Sequence, residues 1–344
     1  MKLVAIEELA QHLKKNSNGK FGLLSHQASP VAGRLFSEFP DRLECLFSAE
    51  HGWFGLALPG EKTASSIHPV WNVKVHSLYG ETRRPTEEML SGLSEVVIDL
   101  QDIATRCYTY LATIKLMLEE CAKRSIGVSL LDRPVPFRGF SDGPMREEEF
   151  SSFVAPLDIP FRHGMTPGDC AKFIVKDMSL DLDLKIFESE FANSDTTVPW
   201  PNFTPPSPGI PNWDSAALYP VTVFTEAFRS IDCDRGGAFS FRILGAKWMD
   251  ATALAKELAG PLSECGFAPL PYRYKSAFAK EDNIFDGLLL TLLGNGKYRP
   301  FEAAKKIFGA LVEKHPEEVM KDFRAEWLDK LAGTASFRRE LLGS

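Results

Sequence analysis

The sequence predicts an α/β fold with a mostly parallel sheet, followed by a second, smaller α+β domain. Short apolar segments alternate with helical segments over residues 20–131, and such alternation produces right-handed βαβ units. The apolar segments are nearly unbroken, as expected for parallel strands that helices cover on both faces. In the last third of the chain this alternation is lost, which indicates a separate unit.

Five strands and four helices are predicted in the first part of the chain. The helices lie at residues 2–16, Val31–Phe39, a short segment after the capping residue Thr86, and Tyr108–Arg124. The strands lie at Phe21–Leu24, Leu43–Phe47, Val73–Leu78, Val96–Leu100 and Val128–Leu131. Because parallel strands end at one edge of a sheet, residues that follow these strands are candidates for a common site.

A further helix and strand extend this unit. Thr166 is a predicted helix cap with Pro167 at the first helical position, and Leu184–Phe187 is a predicted strand. Residues 198–213 contain six prolines, which remove backbone donors, so this segment is predicted to be a wall or a linker.

The last third contains predicted strands at Phe239–Leu244 and Leu288–Leu293 and an amphipathic helix around Phe301–Leu311. We place the domain boundary near residue 225. The expected domains are 1–225, which holds the parallel sheet, and 226–344, a smaller α+β unit.

Composition excludes several classes of protein. The net charge of −7 and the pI near 5.6 argue against nucleic-acid binding, and no basic run suggests binding to a membrane surface. The sequence shows neither a signal-peptide core nor an apolar stretch long enough to span a bilayer. We therefore expect a cytoplasmic protein, with its six cysteines reduced.

Charged side chains follow most of the predicted strands. Each acid alone has an ordinary explanation as a turn or helix cap, but a set at successive strand ends indicates a site. The set comprises His26, Glu50, His51, Tyr79, Glu81, Asp102, Arg106, Asp132, Arg133 and, at a later turn, His163.

The segment Gly55–Thr63 has the appearance of a phosphate-binding loop but does not fit that motif. Glu61 is one residue too many between Gly60 and Lys62, and no convincing helix follows. The acids and histidines also match no metal-ligand spacing, so we expect neither a nucleotide, nor a metal, nor another cofactor.

Acids beside arginines and aromatic residues suit a polar, anionic organic ligand. Glycoside cleavage needs a carboxyl group that protonates the leaving oxygen, and Glu50 is the candidate. Arginine recognises carboxylates through its planar fork. Tyr108, Tyr110 and Trp200 are candidates for stacking on sugar rings, although packing of a helix face explains the two tyrosines equally well.

Six linked motifs resemble the exo-β-N-acetylmuramidases of NamZ type. They are SAEHGWFG, GEK, HSLYGETRRPTEEML, VVIDLQDIATRCYTYLATI, LLDRPVP and IPFRHGMTPGD, in the order and spacing of that family. The resemblance is strong over residues 20–175. It implies a Rossmann-like, doubly wound N-terminal domain, a smaller C-terminal domain and a site in the cleft between them.

The resemblance also implies an activity, which is the release of terminal N-acetylmuramic acid from peptidoglycan fragments. The substrate would be a small carbohydrate, such as a muropeptide or a disaccharide containing this sugar. The glutamate of the E-H-G motif, thought to be catalytic, corresponds to Glu50, and Glu61 or Asp102 is expected to assist. The remaining motif positions are His51, Lys62, Arg106, Tyr108, Tyr110, Asp132, Arg133 and His163, as substrate-binding residues. Arg106 or Arg133 would meet the lactyl carboxylate of muramic acid.

The sequence departs from the family pattern in one stretch. Where many members have E-G-R-G-T, this chain has Cys233-Asp234-Arg235-Gly236-Gly237, and Ala227 follows the family acid at Glu226. A protein that binds a sugar acid or muropeptide without cleaving it therefore stays an alternative, and a metal-dependent phosphoesterase is a weaker one.

Overall fold

The computed structural model describes residues 4–16, 19–29, 31–189, 194–201, 203–277 and 284–343. Within these ranges the strands are β1 Lys20–Ser25, β2 Leu43–Ser48, β3 Ser66–Ile67, β4 Lys74–Ser77, β5 Leu93–Asp99, β6 Gly127–Asp132, β7 Leu184–Glu188, β8 Ile243–Ala246, β9 Phe267–Lys275 and β10 Ile284–Leu292. The helices are α1 Val4–Lys15, α2 Val31–Glu38, α3 Glu87–Leu90, α4 Tyr110–Lys123, α5 Pro167–Asp177, α6 Trp213–Thr222, α7 Ala251–Ser263, α8 Pro300–Lys314, α9 Pro316–Met320, α10 Ala325–Ala332 and α11 Ser336–Leu342.

The predicted mostly parallel sheet is confirmed. Seven strands are ordered β3-β4-β2-β1-β5-β6-β7, and every neighbouring pair is parallel except β3 with β4. The chain builds outward from β1 through β2 to β4, then returns to β5 on the other side of β1. This reversal makes the sheet doubly wound, and the crevice at its carboxyl edge is where such sheets bind ligands.

The predicted helix starts agree with the structure. The hydroxyl of Thr86 accepts a hydrogen bond from the backbone N–H of Met89 at the start of α3. Thr166 and Asp169 form a reciprocal capping box at α5, with Pro167 at its first position. In the first predicted helix, Leu3 lies outside the described residues, and α1 buries the other apolar side chains of its predicted face.

The C-terminal region contains a three-stranded antiparallel sheet in the order β8-β10-β9. The strand predicted at Phe239–Leu244 is wrong in its start, because β8 begins only at Ile243. The carboxylate of Asp234 accepts a hydrogen bond from the Phe239 N–H, and this holds the preceding residues in turns. Strand β9 was not predicted because it contains Pro269 and Pro271, which it tolerates as an edge strand.

The two parts of the chain share one hydrophobic core. Phe137 stacks on Tyr298 with ring centres 3.8 Å apart, and Phe161 stacks on Phe224 at 5.0 Å. The proline-rich segment crosses between them as a wall, since the Pro206 carbonyl accepts a hydrogen bond from the Tyr110 hydroxyl. The boundary at residue 225, with domains 1–225 and 226–344, stays a prediction.

Candidate active site

A cavity of about 760 Å³ lies at the carboxyl edge of the sheet, between the loops that follow the strands and the C-terminal region. Residues that follow β2 and β4, and residues just before α4, form one side. The C-terminal region forms the other. The main polar residues that line the cavity are Glu50, His51, Tyr79, Arg83, Tyr108, Thr109, Glu226, Arg229, Asp232, Arg235 and Arg324.

Glu50 lies almost directly after β2 and is only 9% exposed. Its Oε1 accepts a hydrogen bond of 2.7 Å from the backbone N–H of Gly60, and its Oε2 accepts one of 2.6 Å from the Thr109 hydroxyl. The loop after β2 and the residue before α4 therefore fix the carboxylate from two sides. A fixed carboxylate at a cavity wall suits proton transfer to a bound molecule.

His51 lines the cavity beside Glu50 with its backbone at φ +70°. Its Nδ1 lies 2.9 Å from the Ala57 carbonyl oxygen, and a carbonyl can only accept, so Nδ1 carries the proton. The ring is thereby fixed in orientation, and it supports the loop at Ala57.

Tyr79 and Arg83 extend the wall next to Glu50. Burial, helped by the nearby Glu50 carboxylate, raises the pKa of the Tyr79 hydroxyl to about 12, so this group stays protonated and can donate. The Arg83 guanidinium lies over the Tyr79 ring at 4.9 Å and over the Phe153 ring at 4.3 Å. These cation–π contacts hold the arginine at the cavity without neutralising its charge.

The opposite wall contributes two further carboxylates, and both are engaged within the protein. Glu226 accepts a hydrogen bond from Arg235 at 2.9 Å and another from the Trp327 indole at 3.2 Å. Asp232 accepts hydrogen bonds from the Tyr274 hydroxyl at 2.7 Å and the Ser276 hydroxyl at 2.8 Å. Glu50 differs from Glu226, because its two donors, a backbone amide and a hydroxyl, are neutral, whereas Glu226 is paired with the Arg235 guanidinium.

Three exposed arginines line the cavity without an acidic partner among the described residues. They are Arg83, Arg229 and Arg324. Arg324 lies over the Trp327 ring at 5.4 Å, and the described residues offer Arg229 no polar partner. In a protein of net charge −7, unpaired guanidinium groups at one cavity favour an anionic ligand.

The structure brings four of the predicted site residues to this cavity: Glu50, His51, Tyr79 and Tyr108. Two others in the same loop lie outside its lining. Glu61 is exposed, and its carboxylate accepts a hydrogen bond of 2.8 Å from the Leu58 N–H. Lys62 is exposed as well.

Asp132 and Arg133 have partners in the frame of the sheet. Asp132 accepts hydrogen bonds from the Thr166 hydroxyl at 2.8 Å and the Gly168 N–H at 2.7 Å, and so ties the end of β6 to the start of α5. Arg133 forms a bidentate pair with the buried carboxylate of Asp99, at 2.5 and 2.9 Å. Both side chains thus join neighbouring elements.

Arg106 and Tyr110 join the sheet loops to other segments. Arg106 is fully buried and donates to the carbonyls of Pro144, Ile159 and Ala332. Tyr110 donates to the Pro206 carbonyl at 2.7 Å. Neither is among the residues that line the cavity.

Asp102 and His163 are buried behind the cavity. Asp102 accepts a hydrogen bond of 2.6 Å from the Ala104 N–H, and burial raises the pKa of its carboxyl to about 7. His163 accepts a hydrogen bond of 3.2 Å from the Met165 N–H, and burial holds the pKa of its imidazole well below the ordinary value. His163 is therefore neutral at physiological pH.

Two further findings concern ions and membranes. The described residues contain no group of three or more histidine, cysteine, aspartate or glutamate side chains placed to hold a metal ion. None of the helices in the described ranges has the length and apolar character that crossing a bilayer requires. All six cysteines fall in these ranges, and each is buried and free.

Sequence reasoning missed the residues that come from far along the chain. Thr109, Arg229, Arg324 and Trp327 carry no local signal, because only the packing of the C-terminal region brings the last three to the cavity. Arg235 could be found from its glycine-rich neighbourhood.

Comparisons with known proteins agree with this architecture. The family models described as "Exo-beta-N-acetylmuramidase NamZ" match residues 22–214 for the N-terminal part and 217–344 for the C-terminal part. The peptidoglycan beta-N-acetylmuramidase NamZ of Bacillus subtilis strain 168 is 31% identical over 350 residues, which cover 98% of this chain and 83% of that protein.

Two crystal structures of DUF1343 family proteins from Bacteroides fragilis share the fold. One is 25% identical to this chain and superimposes with a TM-score of 0.85; the alignment covers 98% of this chain and 90% of the Bacteroides protein. The other is 20% identical, with a TM-score of 0.73, and its alignment covers 99% of this chain and 91% of the Bacteroides protein. Both family models match, and the relative from Bacillus subtilis aligns with 98% of this chain. This chain therefore belongs to the NamZ family of exo-β-N-acetylmuramidases, which are glycoside hydrolases.

Proposed function

We propose that this enzyme releases terminal N-acetylmuramic acid from peptidoglycan fragments, with Glu50 as the general acid. One observation carries the assignment of Glu50. It is a cavity carboxylate that comes almost directly after a parallel strand and forms no ion pair with the described residues, whereas Glu226 is paired with Arg235. A proton on Glu50 can therefore be passed to a substrate without breaking an ion pair.

The reaction breaks the bond between the anomeric carbon and the glycosidic oxygen. Glu50 protonates the departing oxygen, and water finally adds to the anomeric carbon. The acetamido group of the sugar is our candidate nucleophile, because the other cavity carboxylates are already bound to protein donors. Glu50 then accepts a proton from the attacking water and is restored. Direct assistance by Asp102 stays a prediction.

Muramic acid differs from other N-acetylhexosamines by a lactyl ether that ends in a carboxylate. We assign recognition of this group to Arg83, Arg229 and Arg324, the cavity arginines that have no acidic partner among the described residues. The family resemblance implies Arg106 or Arg133 for this task, but Arg106 binds backbone carbonyls and Arg133 binds Asp99.

Incubation with a chromogenic β-N-acetylmuramide tests the proposal. We expect the wild-type protein to release the chromophore and free N-acetylmuramic acid, and Glu50→Gln to be nearly inactive. Equal hydrolysis by both proteins removes Glu50 from the role. Tight binding of the sugar without product, over a long incubation, favours the alternative of a binding protein.

We place the enzyme in the cytoplasm, acting on fragments recovered from the cell wall. Six buried, free thiols suit a reducing compartment. Cell fractionation tests this assignment, and recovery of the protein outside the cytoplasm contradicts it.

A further inference from the structure

We propose that Glu61 is a positioning residue that acts on Glu50 through the backbone of Gly60. This inference rests on the proposed role of Glu50 in glycoside hydrolysis. It gives Glu61 a function that needs no contact with the substrate. The residues concerned belong to the clamp loop, which we define as residues 51–63.

A β-turn formed by Leu58, Pro59, Gly60 and Glu61 lies at the centre of the clamp loop. The Glu61 N–H donates to the Leu58 carbonyl at 3.0 Å, and Gly60 has φ +75° at the third position. Proline at the second position and a positive φ at the third are features of a type II turn. The turn carries its own sequence signature, so its shape is set locally.

The Glu61 side chain closes the same turn a second time. Its Oε2 accepts a hydrogen bond of 2.8 Å from the Leu58 N–H, so Leu58 and Glu61 are joined by a backbone bond and a side-chain bond. The Gly60 N–H between them donates to Glu50 Oε1 at 2.7 Å. Closing the turn therefore fixes the direction in which this N–H points.

Both ends of the clamp loop are anchored to the sheet side of the cavity. On one side, His51 Nδ1 donates to the Ala57 carbonyl, and the Ala57 N–H donates back to the His51 carbonyl at 3.2 Å. On the other side, the Thr63 N–H donates to the Tyr79 carbonyl at 2.9 Å. Because other residues hold both ends of the loop, the contribution of Glu61 is confined to the turn at residues 58–61.

The position of Glu61 explains why it fits this task better than acid–base catalysis. Its side chain is exposed, and it is absent from the residues that line the cavity, whereas Leu58, Pro59 and Gly60 line it. A carboxylate outside the cavity cannot reach the glycosidic oxygen. It can still determine where the Gly60 N–H meets Glu50.

The test compares Glu61→Ala with Glu61→Gln on the chromogenic β-N-acetylmuramide. Alanine removes the acceptor for the Leu58 N–H, and we expect kcat to fall about tenfold with little change in KM. Glutamine keeps a carbonyl oxygen at this position, and we expect it to restore kcat to within about twofold of wild type.

A second measurement does not depend on turnover. Amide hydrogen exchange at Leu58 and Gly60 should be faster in Glu61→Ala than in wild type or Glu61→Gln. Gly60→Ala offers an independent variant, because its added Cβ meets nothing within 4 Å but the φ of +75° strains the turn. Glu8→Ala, which changes an exposed glutamate of α1, is the matched control and should leave kcat, KM and these exchange rates unchanged.

The outcomes separate this inference from the function on which it rests. A wild-type protein that does not hydrolyse the substrate overturns the proposed function, and the exchange rates still decide whether Glu61 closes the turn. An active wild type with unchanged exchange and kcat in Glu61→Ala overturns the positioning role. Loss of activity in Glu61→Gln as complete as in Glu61→Ala also overturns it, because it shows that Glu61 acts as an acid or base.

Discussion

The Thr109 hydroxyl donates a hydrogen bond of 2.6 Å to Glu50 Oε2 across 59 residues of sequence. Thr109 is the N-cap of α4, yet its side chain makes no capping hydrogen bond with the helix. The hydroxyl that would ordinarily stabilise the helix start is directed at the carboxylate instead. This arrangement separates the contribution of Thr109 to activity from its contribution to helix stability.

The first prediction follows from that separation. Thr109→Val removes the donor to Glu50 while keeping the shape of the side chain, and we expect kcat to fall about tenfold. We expect the free energy of unfolding to change little, since no cap is lost. Steady-state kinetics and urea denaturation of the same preparations measure the two effects.

Thr86→Val is the matched control, because the hydroxyl of Thr86 does cap α3. We expect this variant to lose about 1 kcal/mol of stability and to keep its activity. A Thr109→Val protein that is destabilised but fully active contradicts our assignment.

The second prediction compares the two glutamates of the cavity. Glu50→Gln removes the proposed proton donor, and we expect kcat to fall by about 100-fold or more, as is usual for a lost general acid. Glu226→Gln keeps an acceptor for the Trp327 indole but loses the charge that faces Arg235, so we expect a smaller effect. The reverse order of the two kcat values rejects Glu50 as the acid.

Some of this site could be predicted from the sequence because the signal is local. An acid almost directly after a buried parallel strand lies at the ligand-binding edge of the sheet, and Glu50 meets that condition. The same rule correctly places Asp132 and Arg133 at the carboxyl edge of the sheet, at the end of β6. Their partners, Thr166 and Asp99, come from neighbouring elements, and no single-strand pattern shows which charges will pair with each other.

The C-terminal wall of the cavity has no such signal. Arg324 and Trp327 lie at the start of a short helix, and only the packing of α10 against the residues around Glu226 brings them to the site. Strand β9 was missed for a similar reason. Its prolines are compatible with a strand only at the edge of a sheet, and the sequence does not show which strand lies at the edge. Local chemistry was therefore readable in the sequence, whereas long-range pairing was not.

The third prediction concerns the unpaired arginines. Arg324→Gln and Arg229→Gln each remove a guanidinium group from the cavity, and we expect KM for a β-N-acetylmuramide to rise about tenfold. Activity on the matching β-N-acetylglucosaminide, which lacks the lactyl carboxylate, should be weak and unaffected by either change. Kinetics on the two chromogenic substrates measure the difference.

Arg273→Gln serves as the control for these variants. Arg273 is also exposed, but it pairs with Asp286 in the small sheet and lies outside the cavity lining. Equal increases of KM on both substrates indicate that Arg229 and Arg324 bind some other part of the sugar, and so contradict recognition of the carboxylate.

The fourth prediction is a dependence of stability on pH that arises from Asp102. Burial raises the pKa of this carboxyl from 3.8 to about 7 in the folded protein. Between these values the folded state retains a proton that the unfolded state has released. The free energy of unfolding therefore falls as the pH rises from about 4 to 7 and is insensitive to this group above that window.

Asp102→Asn tests this sign, because the amide resembles the protonated carboxyl and does not titrate. We expect urea denaturation to show that the variant gains stability relative to wild type as the pH rises from 4 to 8, by up to about 4 kcal/mol. In Asp102→Asn, the free energy of unfolding should still depend in part on pH, since burial also raises the pKa values of Asp132 and Asp142. The exposed residue Asp41 provides the control, and Asp41→Asn should keep the wild-type slope. A wild-type slope in Asp102→Asn itself shows that Asp102 is already ionised in the folded protein and returns it to the candidates for direct assistance in catalysis.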